Sequence, residues 1–331
     1  MPITFEQVSY SYSAPTKKKR GKKGGATPAP QPKVTPSQSV EDTGLSSSQA
    51  TKPLWGNEPD ATWALANITF TLEDGEFLGI AGHTGSGKST LIQHMNGLVH
   101  PTCGTVFVNG IDIADKKAAA AARSEVGLVF QYPEHQLFAA TVYDDVAFGP
   151  RNMGLSPEDV DARVKESLAQ VALDFDELRD KSPFELSGGQ QRRVAFAGVL
   201  AMRPSKLILD EPVAGLDPAA RNDFLELIAE LHSQGLTVVM VSHTMDDLAR
   251  FCDRILVLKQ GTIFALGTPE EVFADAEALR AIGLGVPSAQ KFAQDLRDHD
   301  ITLADKLYNT QSLADAIAVH YETGLAGGNR A

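Results

Sequence analysis

A glycine-rich run in the first third of the chain has the residue types and spacing that hold phosphate. Residues 82–89 read Gly-His-Thr-Gly-Ser-Gly-Lys-Ser. Glycines at this spacing let successive backbone amides converge on phosphate oxygens, and a following helix adds the positive end of its dipole. We therefore expect Lys88 to reach the β- and γ-phosphates of a nucleotide and the Ser89 hydroxyl to bind Mg²⁺. A glycine-rich turn that ends in Lys-Ser by chance is the alternative.

Two adjacent carboxylates are the next candidates for chemistry. The apolar residues 207–209 run directly into Asp210 and Glu211. Adjacent acids at a strand end repel each other and cost stability unless a cation and a water separate their roles. Asp210 suits the coordination shell of Mg²⁺, and Glu211 suits the polarisation of an attacking water as a general base. An exposed acidic turn is the alternative, but it fits poorly after so apolar a run.

A second glycine-containing run, Leu186-Ser187-Gly188-Gly189-Gln190, opens a predicted helix that reaches Ala201. Its hydroxyl and amides would form another phosphate cradle at a helix N-terminus. Downstream of a phosphate loop, this run resembles the signature of ABC-type ATPases. The resemblance implies that the signature of one module closes over ATP held by the phosphate loop of another. Because the chain carries one of each, the resemblance also implies a second ABC ATPase chain as partner, either a paralogue or a copy.

Four further positions match the ABC family in their order and spacing. The resemblance implies that Tyr12 stacks on adenine and that His243 contacts the γ-phosphate. Gln131 would join the metal shell and relay the state of the γ-phosphate to a transporter contact, and Asp217 would lie at the dimer seam. Taken singly, a Tyr or a His in these places is more often structural, but the whole set favours function. The implied catalytic residues are Glu211, His243 and Gln131, and the implied ATP-binding residues are Tyr12, Gly82, His83, Thr84, Gly85, Ser86, Gly87, Lys88, Ser89 and Thr90.

Residues 129–138 and 141–150 narrow the resemblance to the ATPase subunits of energy-coupling factor (ECF) transporters. They read Val-Phe-Gln-Tyr-Pro-Glu-His-Gln-Leu-Phe and Thr-Val-Tyr-Asp-Asp-Val-Ala-Phe-Gly-Pro. The resemblance implies a transport ATPase that uses ATP and Mg²⁺ to import a vitamin or a transition-metal ion. Its partners would be a transmembrane scaffold subunit and a substrate-binding membrane subunit. Alternatives are the ATPase of an ordinary ABC importer and a soluble ABC protein that acts on ribosomes or DNA. Val213 departs from the family, where Thr is common.

The same stretch implies a groove that couples the ATPase to the membrane scaffold. In ECF transporters, Arg-bearing helices of the scaffold sit in grooves beside the glutamine loop, and the matching region here offers acids and an apolar rim. A carboxylate that meets Arg in a partly buried groove forms a charge-assisted bond that is stronger than an exposed pair. The residues of this predicted coupling groove are Glu134, Leu137, Phe138, Asp144 and Asp145. A solvated acidic helix start is the alternative.

An α/β scaffold must position these residues. Short apolar runs typical of strands buried on both faces alternate with helical stretches, of which 156–170 begins with the capping pattern Ser-Pro-Glu-Asp. This alternation predicts a parallel sheet with helical crossovers. The predicted strands are residues 3–12, 68–72, 77–81, 126–130, 206–209, 237–241 and 255–258.

By resemblance, the fold is a P-loop NTPase of ABC type, with a parallel-sheet core, an antiparallel β subdomain and a helical subdomain. We expect this ATPase domain to span residues 1–275. A small helical C-terminal domain is predicted over residues 276–331.

Composition and charge limit where the chain can act and what it can bind. The formal net charge of −12 argues against nucleic acid as a partner. We find no apolar run as long as the ~18 residues of a membrane helix and no signal sequence at residues 1–7, so we expect the chain to stay in the cytosol. The resemblance to ECF transporter ATPases further implies a peripheral protein on the cytoplasmic face of the cell membrane. Cys103 and Cys252 are interpreted as ordinary thiols.

Residues 14–60 are rich in Pro, Ser and Thr and are predicted to form a disordered insertion at a hairpin tip. Lys17 to Lys23 form a basic run within it that could touch anionic lipid or RNA. A solvated loop without a partner is the alternative.

Overall fold

The computed structural model describes residues 2–12, 63–115, 118–299, 301, 303 and 307–328. In these ranges, six strands form one sheet in the order β10-β9-β3-β8-β7-β6, and four form another in the order β2-β1-β4-β5. Only β10 runs antiparallel to its neighbour in the first of these sheets, and all pairs in the second are antiparallel. The strands are β1 (Ile3–Tyr10), β2 (Leu65–Leu72), β3 (Phe77–Gly82), β4 (Cys103–Val108), β5 (Ile111–Asp112), β6 (Val126–Val129), β7 (Lys206–Asp210), β8 (Thr237–Val241), β9 (Arg254–Lys259) and β10 (Thr262–Gly267).

The helices provide the crossovers of the parallel sheet, a separate helical subdomain and the C-terminal end of the described chain. Helices α3, α4 and α6 of the helical subdomain pack on one another. The helices are α1 (Lys88–Met95), α2 (Ala118–Glu125), α3 (Val142–Asn152), α4 (Pro157–Gln170), α5 (Phe175–Leu178), α6 (Gly188–Leu200), α7 (Pro218–Ser233), α8 (Met245–Phe251), α9 (Pro269–Phe273), α10 (Ala276–Ala281), α11 (Ser288–Arg297) and α12 (Thr310–Gly328), with 3₁₀ helices at Pro133–Gln136 and Pro183–Glu185. The predicted fold class, including its antiparallel and helical subdomains, is confirmed.

Strand β3 separates two apolar cores. Phe77 and Ala81 face the core that continues into the helical subdomain, whereas Leu78 and Ile80 face the core between the two sheets. Every residue of β3 and β8 is buried. Strands covered on both faces are apolar throughout, which is why their sequences are continuous apolar runs.

The antiparallel sheet begins with a hairpin whose ends lie side by side. Tyr10 of β1 is opposite Leu65 of β2, and the Ala64 amide donates to the Tyr10 carbonyl at 2.9 Å. The predicted insertion at 14–60 therefore joins two paired strand ends; the insertion itself lies outside the described residues. Strands β4, β5 and β10 were not predicted from the sequence, because they are short and only partly buried and lack a long apolar run.

Local signals at helix ends are confirmed where the sequence predicted them. The Ser156 hydroxyl accepts from the Asp159 amide at the start of α4, as its capping pattern predicted. The structure shows a further cap at the start of α9, where Thr268 forms a reciprocal capping box with Glu271. Such side chains satisfy amides that have no partner within the helix. Residues 283–287 separate α10 from α11.

The C-terminal helices are attached to α8. Asp246 accepts from both the amide and the hydroxyl of Ser288, at 2.8 and 2.9 Å, and so caps α11 from another helix. Leu279 and Leu284 pack into the core that also contains the sheet. The domain boundary at 275 stays a prediction. Within the described residues, no helix combines the length and hydrophobicity needed to cross a membrane.

Candidate functional site

The phosphate loop connects the end of β3 to the start of α1. Lys88 is buried, and its Nζ donates to the carbonyls of Gly82 at 2.6 Å and His83 at 3.1 Å. Gly87 precedes the helix with φ of +105°, and a Cβ there would lie 2.6 Å from the Ala64 carbonyl. Only glycine adopts this conformation without strain. The loop is therefore folded tightly around the lysine ammonium group.

A partly buried acid, Asp210, faces this lysine from the end of β7. Burial, and secondarily the charge of Glu211, raises the pKa of Asp210, although Lys88 and a hydrogen bond from Ser89 act in the opposite direction. Burial lowers the pKa of Lys88 despite the attraction of Glu211 and Asp210. The Lys88 ammonium and the Asp210 carboxylate thus both lie where water is partly excluded. Ionisable groups whose pKa values are shifted by burial and by specific charged neighbours in a cleft are candidates for a functional site.

The carboxylate of Glu211 is the point where the other predicted catalytic side chains meet. His243 Nε2 lies 2.7 Å from Glu211 Oε1, and Gln131 Nε2 donates to Oε2 at 3.4 Å. The Glu211 backbone has φ of +50°, a left-handed conformation that is uncommon for a residue with a side chain. Its amide donates to the Val241 carbonyl at 3.1 Å, which fixes the turn against β8. Strain of this kind persists where the surrounding structure enforces it.

Tyr12 lies beside the phosphate loop. Its ring is 67% exposed, and its hydroxyl is 3.0 Å from Thr90 Oγ1. Ser86, in contrast, is fully buried and does not reach the surface of the cavity. A cavity of about 290 Å³ brings together most of the predicted nucleotide and catalytic residues, and it is lined by Tyr12, Ala64, Thr84, Gly85, Gly87, Lys88, Ser89, Thr90, Glu211 and His243. The predicted residues Gly82, His83, Ser86 and Gln131 do not line it, and Ala64 was not predicted.

The signature run lies apart from this cavity. Ser187 caps α6 by accepting from the Gln190 amide, and Gln190 returns the bond through its side chain to the Ser187 amide at 3.1 Å. A Cβ at Gly188 or Gly189 would have nothing within 4 Å. One chain therefore presents the signature as an open helix N-terminus and does not bring it to its own phosphate loop.

Asp217, predicted at a dimer seam, also has a structural task within the chain. Its carboxylate accepts from the amides of Ala219 and Ala220 at 3.0 Å each and caps α7. This cap was not predicted, although Asp directly before Pro is a common helix-start pattern in sequence.

The predicted coupling groove needs correction at two positions. Glu134 was expected to be free to meet an arginine of another subunit, but Arg192 of this chain pairs with it at 2.9 Å. Leu137 was expected on an apolar rim, but it is buried in the core. Of the two predicted apolar residues, Phe138 alone is on the surface, with 60% of its area exposed.

The two aspartates of the predicted groove also have partners within the chain. Asp145 accepts from the amides of Phe138 and Ala139, at 2.9 and 2.8 Å. Asp144 accepts from Thr141 and Arg151 and stays half-exposed. Hydrogen bonds from Thr141 and then Arg151 lower the pKa of Asp144.

The fold and the site together define an ATPase of the ABC type. A family model described as ABC transporter matches residues 65–214. The energy-coupling factor transporter ATP-binding protein EcfA2 of Clostridium perfringens is 50% identical over 256 residues, which are 77% of this chain and 90% of the relative. The protein of the same name from Symbiobacterium thermophilum is 57% identical over 241 residues, or 72% and 83% of the two chains. The chain belongs to the family of energy-coupling factor transporter ATP-binding proteins.

Solved structures agree with this assignment. The structure of cbiO1 from Clostridium perfringens, part of the ABC transporter complex cbiONQ, is 33% identical with a TM-score of 0.64 and covers 85% of this chain and 93% of that one. A dimeric ATP-binding cassette in a post-hydrolysis state, bound to ADP and Pi, is 27% identical with a TM-score of 0.60. The match covers 81% of this chain and 98% of that chain. The predicted resemblance to ECF transporter ATPases is confirmed.

The raised pKa of Asp210 predicts that this residue costs stability at neutral pH. A carboxyl whose pKa is higher in the folded chain contributes stability below its unfolded pKa and loses it as the pH rises through the folded value. Asp210→Asn should therefore raise the melting temperature at pH 7. The difference from the unmodified chain should shrink toward pH 4. Thermal unfolding followed at several pH values tests this, and a variant less stable than the unmodified chain at pH 7 would contradict it.

Proposed function

We propose that this chain binds ATP with Mg²⁺ and hydrolyses it as the energy-converting subunit of an ECF transporter. The convergence of Gln131 and His243 on the carboxylate of Glu211, at the edge of the phosphate-loop cavity, carries the proposal. A regulator that only bound nucleotide would not need a polar constellation of this kind beside the phosphates. Family membership supports the same activity.

Binding is assigned to the phosphate loop and Tyr12. Lys88 exchanges its two carbonyl contacts for phosphate oxygens, because a charge-assisted bond to phosphate is stronger than a bond to a neutral carbonyl. The amides of residues 82–90 surround the phosphates. Tyr12 offers an exposed aromatic face to the adenine, and its hydroxyl contact with Thr90 fixes the ring beside the start of α1.

The donor set at the end of β7 fits a magnesium ion. The Ser89 hydroxyl and the partly buried Asp210 carboxylate already contact each other, and Gln131, whose amide nitrogen contacts the neighbouring Glu211, could supply an amide oxygen. Mg²⁺ prefers oxygen ligands and keeps several waters. These three residues would hold it, and when bound it would neutralise charge on the phosphate oxygens.

Hydrolysis is assigned to Glu211. As general base, its carboxylate accepts the proton of the attacking water. His243 orients this carboxylate through Nε2 and lines the cavity where the γ-phosphate would lie. Glu211 adopts its left-handed backbone at the turn after β7, where its side chain contacts both His243 and Gln131. Positioning the water in line with the phosphorus atom is the main contribution expected of such a site.

A complete site requires a second ATPase chain. Ser187 and the glycines after it form an open helix N-terminus that the same chain does not use for its own cavity. Such a terminus favours a phosphate group. We assign it to the γ-phosphate of the partner's ATP, with Asp217 at the seam between the chains. A paralogue and a second copy of this chain both satisfy the geometry.

Attachment to the membrane is assigned to the surface around Phe138. Phe138 and Phe148 form an exposed edge-to-face pair with ring centroids 4.9 Å apart, next to the half-exposed carboxylate of Asp144. Exposed aromatic pairs rimmed by charge are typical of docking sites. A transmembrane scaffold subunit would bind here and would join the ATPase to a membrane subunit that binds a vitamin or a transition-metal ion. The chain then works as a peripheral protein on the cytoplasmic face of the membrane.

The division between binding and hydrolysis gives the first prediction of this proposal. Lys88→Ala should abolish ATP binding, because the ammonium group is the main cation of the loop. Glu211→Gln should bind ATP normally but hydrolyse it about 10²- to 10⁴-fold more slowly, the usual effect of losing a general base. Nucleotide titration and steady-state phosphate release measure the two effects. Near-normal turnover in Glu211→Gln would remove Glu211 from the role of base.

The role of the signature across the dimer gives a second prediction. With ATP, Glu211→Gln should accumulate as a closed dimer, detectable by size-exclusion chromatography with light scattering. Adding Ser187→Arg should abolish the dimer by blocking the helix N-terminus, yet leave ATP binding to each monomer intact. If a paralogue is the natural partner, the same pair of measurements applies to the mixed dimer. A double variant that still closes would contradict the assignment of Ser187 to the partner's nucleotide.

The docking surface gives a third prediction. Phe138→Ala should leave soluble ATP hydrolysis near its normal rate but reduce recovery of the membrane complex and substrate uptake, because it removes the most exposed ring of the pair. Phe292→Ala is the matched control, since Phe292 is also half-exposed but lies on α11. Pull-down from detergent extracts and uptake by vesicles are the measurements. Equal complex recovery in the two variants would rule out docking at Phe138.

A further inference from the structure

A buried ion pair outside the nucleotide cavity joins Glu134 to Arg192. Arg192 Nε and Nη2 donate to the two carboxylate oxygens at 3.0 and 2.9 Å. The Arg192 side chain is only 5% exposed, and the Glu134 side chain is 17% exposed. Burial alone would raise the pKa of Glu134, but the hydrogen bond and the charge of Arg192 outweigh it and leave the pKa below its usual value. Two-point pairing of this kind fixes a guanidinium in orientation as well as in position.

The third nitrogen of Arg192 reaches the turn that follows the catalytic glutamate. Nη1 donates to the carbonyls of Pro212 at 3.3 Å and Ala214 at 2.9 Å. The turn is closed by the Ala214 amide, which donates to the Glu211 carbonyl at 3.1 Å. One guanidinium therefore restrains the backbone immediately after Glu211.

The other end of the ion pair belongs to the glutamine loop. Glu134 lies three residues after Gln131, in the 3₁₀ helix Pro133–Gln136. The ring of Tyr132, between them, is 6.0 Å from the Arg192 guanidinium carbon and packs beside Gly215. Arg192 itself is in the second turn of α6, the helix that Ser187 caps. Three segments that the proposed reaction uses thus meet at a single side chain.

We propose that Arg192 is a positioning residue for ATP hydrolysis: it holds the 212–214 turn, and through it Glu211, against the glutamine loop, with Glu134 as its anchor. The inference rests on the proposed hydrolytic function. Glu134 acts within the chain and is not a docking acid for an arginine of another subunit. Since neither Arg192 nor Glu134 lines the nucleotide cavity, their loss affects the placement of Glu211 and not the affinity for ATP.

Two conservative variants separate this role from simple stabilisation. Arg192→Lys keeps a positive charge beside Glu134, but an ammonium group cannot form the bidentate pair and reach both carbonyls. Glu134→Gln removes the charge of the anchor and keeps its shape. Glu166→Gln is the matched control, because Glu166 forms an exposed ion pair with Arg203 in the helical subdomain.

The expected result is a change in kcat without a change in ATP affinity. On the full chain with its partner ATPase, Arg192→Lys and Glu134→Gln should lower kcat by about tenfold or more, within the ~10²-fold that a misplacement of about 1 Å can cost. KM for ATP should stay within about twofold of its value in the unmodified chain. A uniform loss of binding would instead raise KM and leave kcat unchanged. Glu166→Gln should change neither value.

A second measurement does not depend on catalysis. Amide hydrogen exchange at residues 211–217, followed without nucleotide, should be faster in Arg192→Lys and Glu134→Gln than in the unmodified chain and the Glu166→Gln control. If the unmodified chain shows no hydrolysis, the proposed function fails, and the exchange data alone decide whether Arg192 restrains the turn. Unchanged exchange overturns the inference. So does a Glu134→Gln variant with normal kcat that only loses the membrane complex, since this would make Glu134 a docking residue.

Discussion

Parallel pairing of three strands is the constraint on which the site depends. Strands β3, β8 and β7 are neighbours and run in the same direction, so their carboxyl ends lie at one edge of the sheet. The phosphate loop leaves the first, His243 follows the second, and Asp210 ends the third. Ligands of open α/β sheets bind outside this edge. A shift of one residue in the register would exchange the faces of every side chain, and the two cores on either side of β3 exclude such a shift.

The same edge collects groups that the fold holds against their preferences. Burial pushes the pKa of Lys88 down and that of Asp210 up, and Glu211 adopts a left-handed backbone. Each of these features lowers the stability of the folded chain, and the apolar cores must offset them. Their concentration at one place is expected of a site that prepares charge and geometry before its ligand arrives. The glutamine loop and the signature helix are tied to this edge by hydrogen bonds from Arg192, which keeps the strained turn in place.

Local signals made much of the fold and site predictable from the sequence. The phosphate loop, the paired acids and the helix caps are short patterns whose geometry follows from neighbouring residues, and the apolar runs identified the buried strands. The pairing of Glu134 with Arg192, in contrast, joins residues 58 positions apart and depends on how the 3₁₀ helix packs on α6. Leu137 was misplaced for the same reason, since sequence does not tell which side of a single helical turn faces the core. Strands β4 and β10 were missed because they are short and only partly buried, so their apolar residues form no distinctive pattern.

The cap that Asp246 provides for α11 links the far end of the chain to the catalytic edge. Asp246 is three residues after His243, and Ser288 is bound through both its amide and its hydroxyl. The position of α8, which begins two residues after His243, and the position of the N-terminus of α11 are therefore coupled by two hydrogen bonds. A chain shortened before α11 would leave the carboxylate of Asp246 without these two donors.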